Sequence, residues 1–70
     1  MEFKLKTEFI ELDNLLRLLE LVVSSAEAKQ QIRAGAVKVN GLVELRIRCK
    51  LRPGDLVEFG ANTITIARTA

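Results

Sequence analysis

The apolar positions along the chain change their period twice. Residues 2–6 alternate polar and apolar around Phe3 and Leu5, which predicts a short first strand. From Glu11 the spacing becomes helical. Leu12, Leu15, Leu16, Leu19, Val22 and Val23 gather on one side, with Asp13, Asn14, Arg17 and Glu20 opposite. Leu18 and Leu21 fall toward the edge of that stripe, where an exposed contact is one use for them. A second helix is announced by Ser24-Ser25-Ala26-Glu27, a capping box in which the Ser24 hydroxyl accepts the Glu27 N–H and the Glu27 carboxylate reaches back to the N–H of Ser24. Val23 and Ala28 stand at the two positions of a hydrophobic staple. Ala28 and Ile32 face inward, Lys29 and Arg33 lie four apart on the flank, and Gly35 supplies a left-handed stop.

Beyond Gly35 the period returns to two. Val37-Lys38-Val39, Asn40-Gly41 and Leu42-Val43 read as a hairpin, because Asn-Gly accepts the positive φ angles of a type I′ turn. Val43, Leu45, Ile47, Cys49 and Leu51 then alternate with Glu44, Arg46, Arg48, Lys50 and Arg52. If extended, that run lines up four cations on one face, spaced about 6.6 Å apart. Pro53-Gly54 makes a turn, and Leu56–Phe59, a Gly60-Ala61-Asn62 loop and Thr63–Ile66 form a last hairpin. The fold expected is α+β: two N-terminal helices packed on a small antiparallel sheet, one compact domain over residues 1–70.

Composition changes this picture mainly through charge. The net charge of +2 conceals a separation. Lys29–Arg52 holds seven basic residues (Lys29, Arg33, Lys38, Arg46, Arg48, Lys50, Arg52) against Glu44 alone, whereas the remainder holds four basic and eight acidic residues. A single-signed stretch of this kind is the footprint of a polyanion-binding face, although lysine and arginine also guard sheet edges. The chain has no Trp or Tyr, and Phe3, Phe9 and Phe59 read as core. Without aromatic platforms for stacked bases, recognition of phosphates and shape is favoured, as in folded RNA or duplex. A helix-turn-helix on DNA ranks second, since helix two offers few groups suited to base edges.

Other chemistries are excluded by what the sequence lacks. With no histidine and a single Cys49, no intrachain disulfide, common zinc set or thiol–histidine pair exists, so Cys49 reads as a small buried hydrophobe. The acids Glu11, Asp13, Glu20 and Glu27 sit on polar helix faces or helix starts. No catalytic residue, cofactor or metal is expected. No stretch approaches the roughly 20 apolar residues of a membrane span, and the charged start is no signal peptide. A reducing cytoplasm suits the chain.

Leu12-Asp13-x-Leu15-Leu16, Ser24-x-x-x-Ala28, Ile32-x-x-Gly35-x-Val37-x-Val39-Asn40-Gly41 and Gly54-Asp55 together resemble the RNA-binding domain of small-subunit ribosomal protein four, the αL motif. That domain recurs in some tRNA synthetases, pseudouridine synthases and a ribosome-associated heat-shock protein. Val37–Gly41 followed by Arg46-x-Arg48-Cys49-Lys50 is similar to the stand-alone bacterial branch, the YbcJ-like proteins. The resemblance implies RNA held by the second helix and the β-turns after it, with Ser24, Lys29, Lys38, Asn40, Gly41, Arg46, Arg48 and Lys50 on the motif. Charge geometry adds Arg33 and Arg52. Where many members carry arginine before Leu-Asp, this chain has Glu11, so the basic face is expected to stop short of helix one. The partner expected is structured RNA, ribosomal or transfer, bound by a monomer that works with the ribosome or an RNA-modifying enzyme and away from membranes. The rival reading is a protein-interaction module that docks on an acidic partner or a ribonucleoprotein, or an accessory acting in trans on an RNA-modifying enzyme.

Overall fold

The computed structural model describes residues 1–69; Ala70, the last position of the expected domain, lies outside the described residues. The alternation around Phe3 and Leu5 forms strand β1 (Glu2–Leu5), followed by a short β2 (Ile10–Glu11) that leads directly into helix α1 (Leu12–Leu18). Helix α2 spans Ser25–Arg33, and the rest is β3 (Val37–Val39), β4 (Leu42–Val43), β5 (Lys50–Leu51), β6 (Leu56–Phe59) and β7 (Asn62–Arg68). Five strands hydrogen-bond in the order β1-β7-β6-β3-β4, while β2 and β5 form a separate antiparallel ribbon. The α+β class is as expected. The sheet is mixed, however, because β1 joins β7 in parallel, Phe3 opposite Ile66, and the whole intervening chain is the crossover.

One core explains the arrangement. Leu12, Leu15 and Leu16 from α1 and Ala28 and Ile32 from α2 are fully buried with Val37, Leu51, Val57 and Ile64 from the strands. The five helical residues are positions that the helical period had turned inward. Removing a buried leucine of this kind costs about 2–5 kcal/mol, a large fraction of the stability of so small a domain.

The two helices end in the same way with different residues. At the end of α2 the N–H of Gly35 donates to Ile32 and that of Ala36 to Gln31, a Schellman motif with Gly35 at φ 79°. At the end of α1 the N–H of Glu20 donates to Arg17 and that of Leu21 to Leu16, the same pair of bonds, with Glu20 at φ 58°. The first helix therefore stops at Leu18 instead of running on to Val23, and the period beyond it has a different meaning. Val22 is buried in the turn, but Val23 is 90% exposed and makes no staple with the buried Ala28. The Ser24 hydroxyl accepts the Glu27 N–H at 3.1 Å as the capping box requires. The Glu27 carboxylate accepts from Val23, at 3.4 Å, and not from Ser24.

Candidate nucleic-acid interface

Three segments carry the expected site residues. Lys29 and Arg33 are exposed on α2. At the C-terminal end of that helix Gly35 approaches the next hairpin, where a Cβ on it would lie 3.7 Å from Val43 Cγ1. Ser24 caps the opposite end, about 14 Å away along a nine-residue helix, with its hydroxyl already accepting a bond. Lys38 points outward from β3 between Glu58 and Val43 on the neighbouring strands.

The Asn40-Gly41 turn is of type I′, with φ 53° and 85° at the two positions. Asn40 is more than a turn residue. Its side-chain amide donates to Asp55 at 3.0 Å and accepts the N–H of Leu56 at 2.9 Å, and the other Asp55 oxygen accepts the N–H of Arg52 at 2.8 Å. One carboxylate thus fastens the hairpin turn to the backbone of Arg52. The Arg52-Pro53-Gly54-Asp55 turn is closed by the Asp55 N–H donating to Arg52, with Gly54 at φ 99° as a type II turn needs. Asp55 was part of the recognised pattern as Gly54-Asp55, but nothing in residue type or spacing marked it as the clamp.

The long basic alternation is not one extended strand. Pairing with β3 ends after the Glu44 N–H donates to Val37, and the chain turns at Arg46–Cys49 before re-forming β5. The cause lies in α1. That helix has no side-chain cap, and its first N–H groups at Leu12 and Asp13 donate to the carbonyls of Cys49 and Ile47. A run committed to capping a buried helix end cannot continue as a flat ribbon. Leu45 accordingly is 59% exposed, and the expected single file of four cations is bent at Arg46 and Arg48.

Arg46 is also the one expected cation that has an ion pair among the described residues. Its guanidinium holds both oxygens of Glu44, at 3.0 and 3.1 Å, and its backbone N–H donates to the same carboxylate. The Arg46 side chain, then its N–H, bring the Glu44 pKa down from an ordinary 4.5 to about 2. Cys49 is buried beside this pair, and burial, then the Glu44 carboxylate, push its thiol pKa up, so it stays protonated. None of Lys29, Arg33, Lys38, Arg48, Lys50 and Arg52 has an ion pair among the described residues.

Phe9 corrects the sequence reading. It lies outside the core cluster and is only half-buried. The β2–β5 register sets Glu11 opposite Lys50 and Ile10 opposite Leu51, so Ile10 and Leu51 face inward and their neighbours face out. Lys50 Nζ stands 4.9 Å from the centre of the Phe9 ring and the Arg52 guanidinium carbon 6.0 Å from it, within or at the edge of cation–π range. The same register brings Glu11, and with it the start of α1, alongside the basic run.

A two-helix, mixed-sheet domain with a helix, an Asn-Gly turn and a loop presenting unpaired cations defines a small α+β module with a basic face. Residues 3–67 match the family described as the S4 domain, and the chain belongs to that family. It is 41% identical over 61 residues to YbcJ of Escherichia coli (strain K12) and to YbcJ of Shigella flexneri, covering 87% of this chain and 87% of each relative. The solution structure of the E. coli protein, described as revealing an αL motif involved in RNA binding, superposes with a TM-score of 0.71 at 40% identity, covering 94% of this chain and 85% of that one. Among the described residues no helix is long and apolar enough to cross a membrane.

Proposed function

We propose that this chain is a non-catalytic RNA-binding protein that holds the phosphate backbone of structured RNA, ribosomal or transfer, in the cytoplasm and as a monomer. The observation that carries the reading is the set of exposed cations without ion pairs among the described residues, Lys29, Arg33, Lys38, Arg48, Lys50 and Arg52, on an S4 domain. Guanidinium and ammonium groups left free by the protein are free for phosphate, and arginine's planar fork favours bidentate contact. Arg46 joins them by exchanging its Glu44 partner for a phosphate. Gly41 lets the turn's backbone approach the RNA, since nothing lies within 4 Å of where its side chain would be. Ser24 and Asn40 act by shaping the helix start and the turn, because their polar atoms are already hydrogen-bonded. The test is cross-linking in cells followed by sequencing of the attached RNA. Enrichment of a folded ribosomal or transfer RNA segment supports the proposal, and RNA recovered no better than from an uncross-linked control refutes it.

A second reading has an observation of its own. Leu42, Val43 and Leu45 are 74%, 53% and 59% exposed along the outer strand of the sheet and the loop after it. An apolar edge next to a basic face suits a protein surface in a ribonucleoprotein, so the RNA site would work against the ribosome or an RNA-modifying enzyme. Association that survives complete nuclease digestion but is lost in Leu42→Ser/Leu45→Ser favours this reading over RNA binding alone.

A further inference from the structure

Phe9 belongs to two surfaces at once. Lys50 and Arg52 stand over or beside its ring, and the same ring lines a shallow groove of about 380 Å³ between the end of β1 and the end of α1. The groove walls are apolar (Phe3, Phe9, Ile10, Leu18), with Lys4 and Lys6 the only charged residues among them. Leu18 is 63% exposed, which the core does not explain but a groove wall does. Glu8 and Glu11 flank Phe9 in the chain, yet neither lines the groove or pairs with a cation among the described residues. An apolar slot with Lys4 and Lys6 in its wall, and with Lys50 and Arg52 close to its Phe9 ring, suits a flat, uncharged ring carried on an anionic chain. Its volume lies near the lower end of small-molecule sites, about 300–1,000 Å³, the scale of one nucleotide.

We propose that this groove takes one unpaired nucleobase of the bound RNA, stacked against Phe9, while Lys50 and Arg52 on one side and Lys4 and Lys6 on the other hold the phosphates flanking it. Resting on the RNA-binding reading, the assignment adds a substrate class to it: RNA in which a single-stranded nucleotide adjoins a helix. Phe9 is a stacking platform here, and its attraction for Lys50 and Arg52 keeps two cations beside the place where the base arrives.

The chain has no Trp or Tyr, so Phe9→Trp makes its only strongly fluorescent residue a reporter at the site. Two RNA hairpins are compared, one blunt and one with a three-adenosine 3′ overhang. The overhang should bind the unaltered protein roughly ten-fold more tightly, the effect of one stacked base, and should quench Phe9→Trp where the blunt hairpin does not. Phe9→Leu, checked for an unchanged fold by circular dichroism, should bind the two hairpins equally. Lys4→Ala/Lys6→Ala, which alters only exposed side chains, should weaken the overhang complex selectively. Equal binding of both hairpins with no difference in quenching overturns the stacking site and leaves RNA binding standing. Binding of neither hairpin overturns both.

Discussion

Glu44 neutralises the cation that the sequence pattern placed at the centre of the basic run, so Glu44→Gln has two effects of opposite sign. In the folded protein the carboxylate accepts three bonds from Arg46, two from the guanidinium and one from the backbone. Arg46 itself is 76% exposed, so the pair is screened by water, and its loss should lower stability only slightly. The same substitution releases a guanidinium toward the RNA. In the unaltered protein that guanidinium must give up Glu44 to reach its phosphate, so removing the carboxylate should raise affinity a few-fold without adding a phosphate contact to the salt slope. The assay is fluorescence anisotropy on a labelled RNA hairpin over a salt series, beside urea denaturation of each protein. Unchanged affinity would refute the idea that Arg46 exchanges Glu44 for phosphate. The sign with pH follows from the lowered pKa. Glu44 folds at about 2 against 4.5, so its contribution to stability is fully present above pH 4.5 and is lost as pH falls toward 2. The stability gap between the two proteins should close over that window, and a gap of constant size from pH 7 to pH 2.5 would assign it to something other than this charge.

The Asn40 clamp can be separated into its parts. Asn40→Gly keeps the positive φ and loses the two side-chain bonds, so it should destabilise by about 1–3 kcal/mol, whereas Asn40→Ala should cost about 1 kcal/mol more for the left-handed backbone. Equal loss in urea denaturation would mean that φ contributes nothing. Glu20→Gly relieves an L-residue at φ 58° and should raise stability by about 1 kcal/mol. A drop on thermal melting would mean that the Glu20 side chain has a stabilising role of its own. Cys49, buried and protonated, should react slowly with iodoacetamide in native buffer and quickly in urea. Native alkylation at the unfolded rate would contradict its burial.

Residue type and period reached far into this fold and stopped where the signal was tertiary. The second helix was legible at both ends because serine and glycine are the residues those ends favour. The first was not, since its Schellman turn uses Glu20, a residue with no left-handed preference, and the leucines beyond it continue a helical rhythm the backbone abandons. The Asn-Gly hairpin was equally plain. The basic alternation, by contrast, promised a ribbon, and its break at Arg46 depends on uncapped N–H groups at Leu12 and Asp13, over 30 residues earlier in the chain. Phe9 was misread for a related reason: its surroundings depend on which residue of β5 lies opposite, a register that no local pattern carries. The parallel pairing of β1 with β7 is likewise invisible to periodicity, which reports strands but not their neighbours.

The measurement closest to the central claim is the salt dependence of binding to a folded ribosomal RNA hairpin, for the unaltered chain and for Arg48→Ala/Lys50→Ala/Arg52→Ala. With four to six cations on phosphate, log affinity should fall against log salt with a slope of about −3 to −5, and the triple variant should be shallower by about two to three units with its fold intact. A slope near zero, or a triple variant with the slope of the unaltered chain, would contradict a phosphate-binding face on these residues.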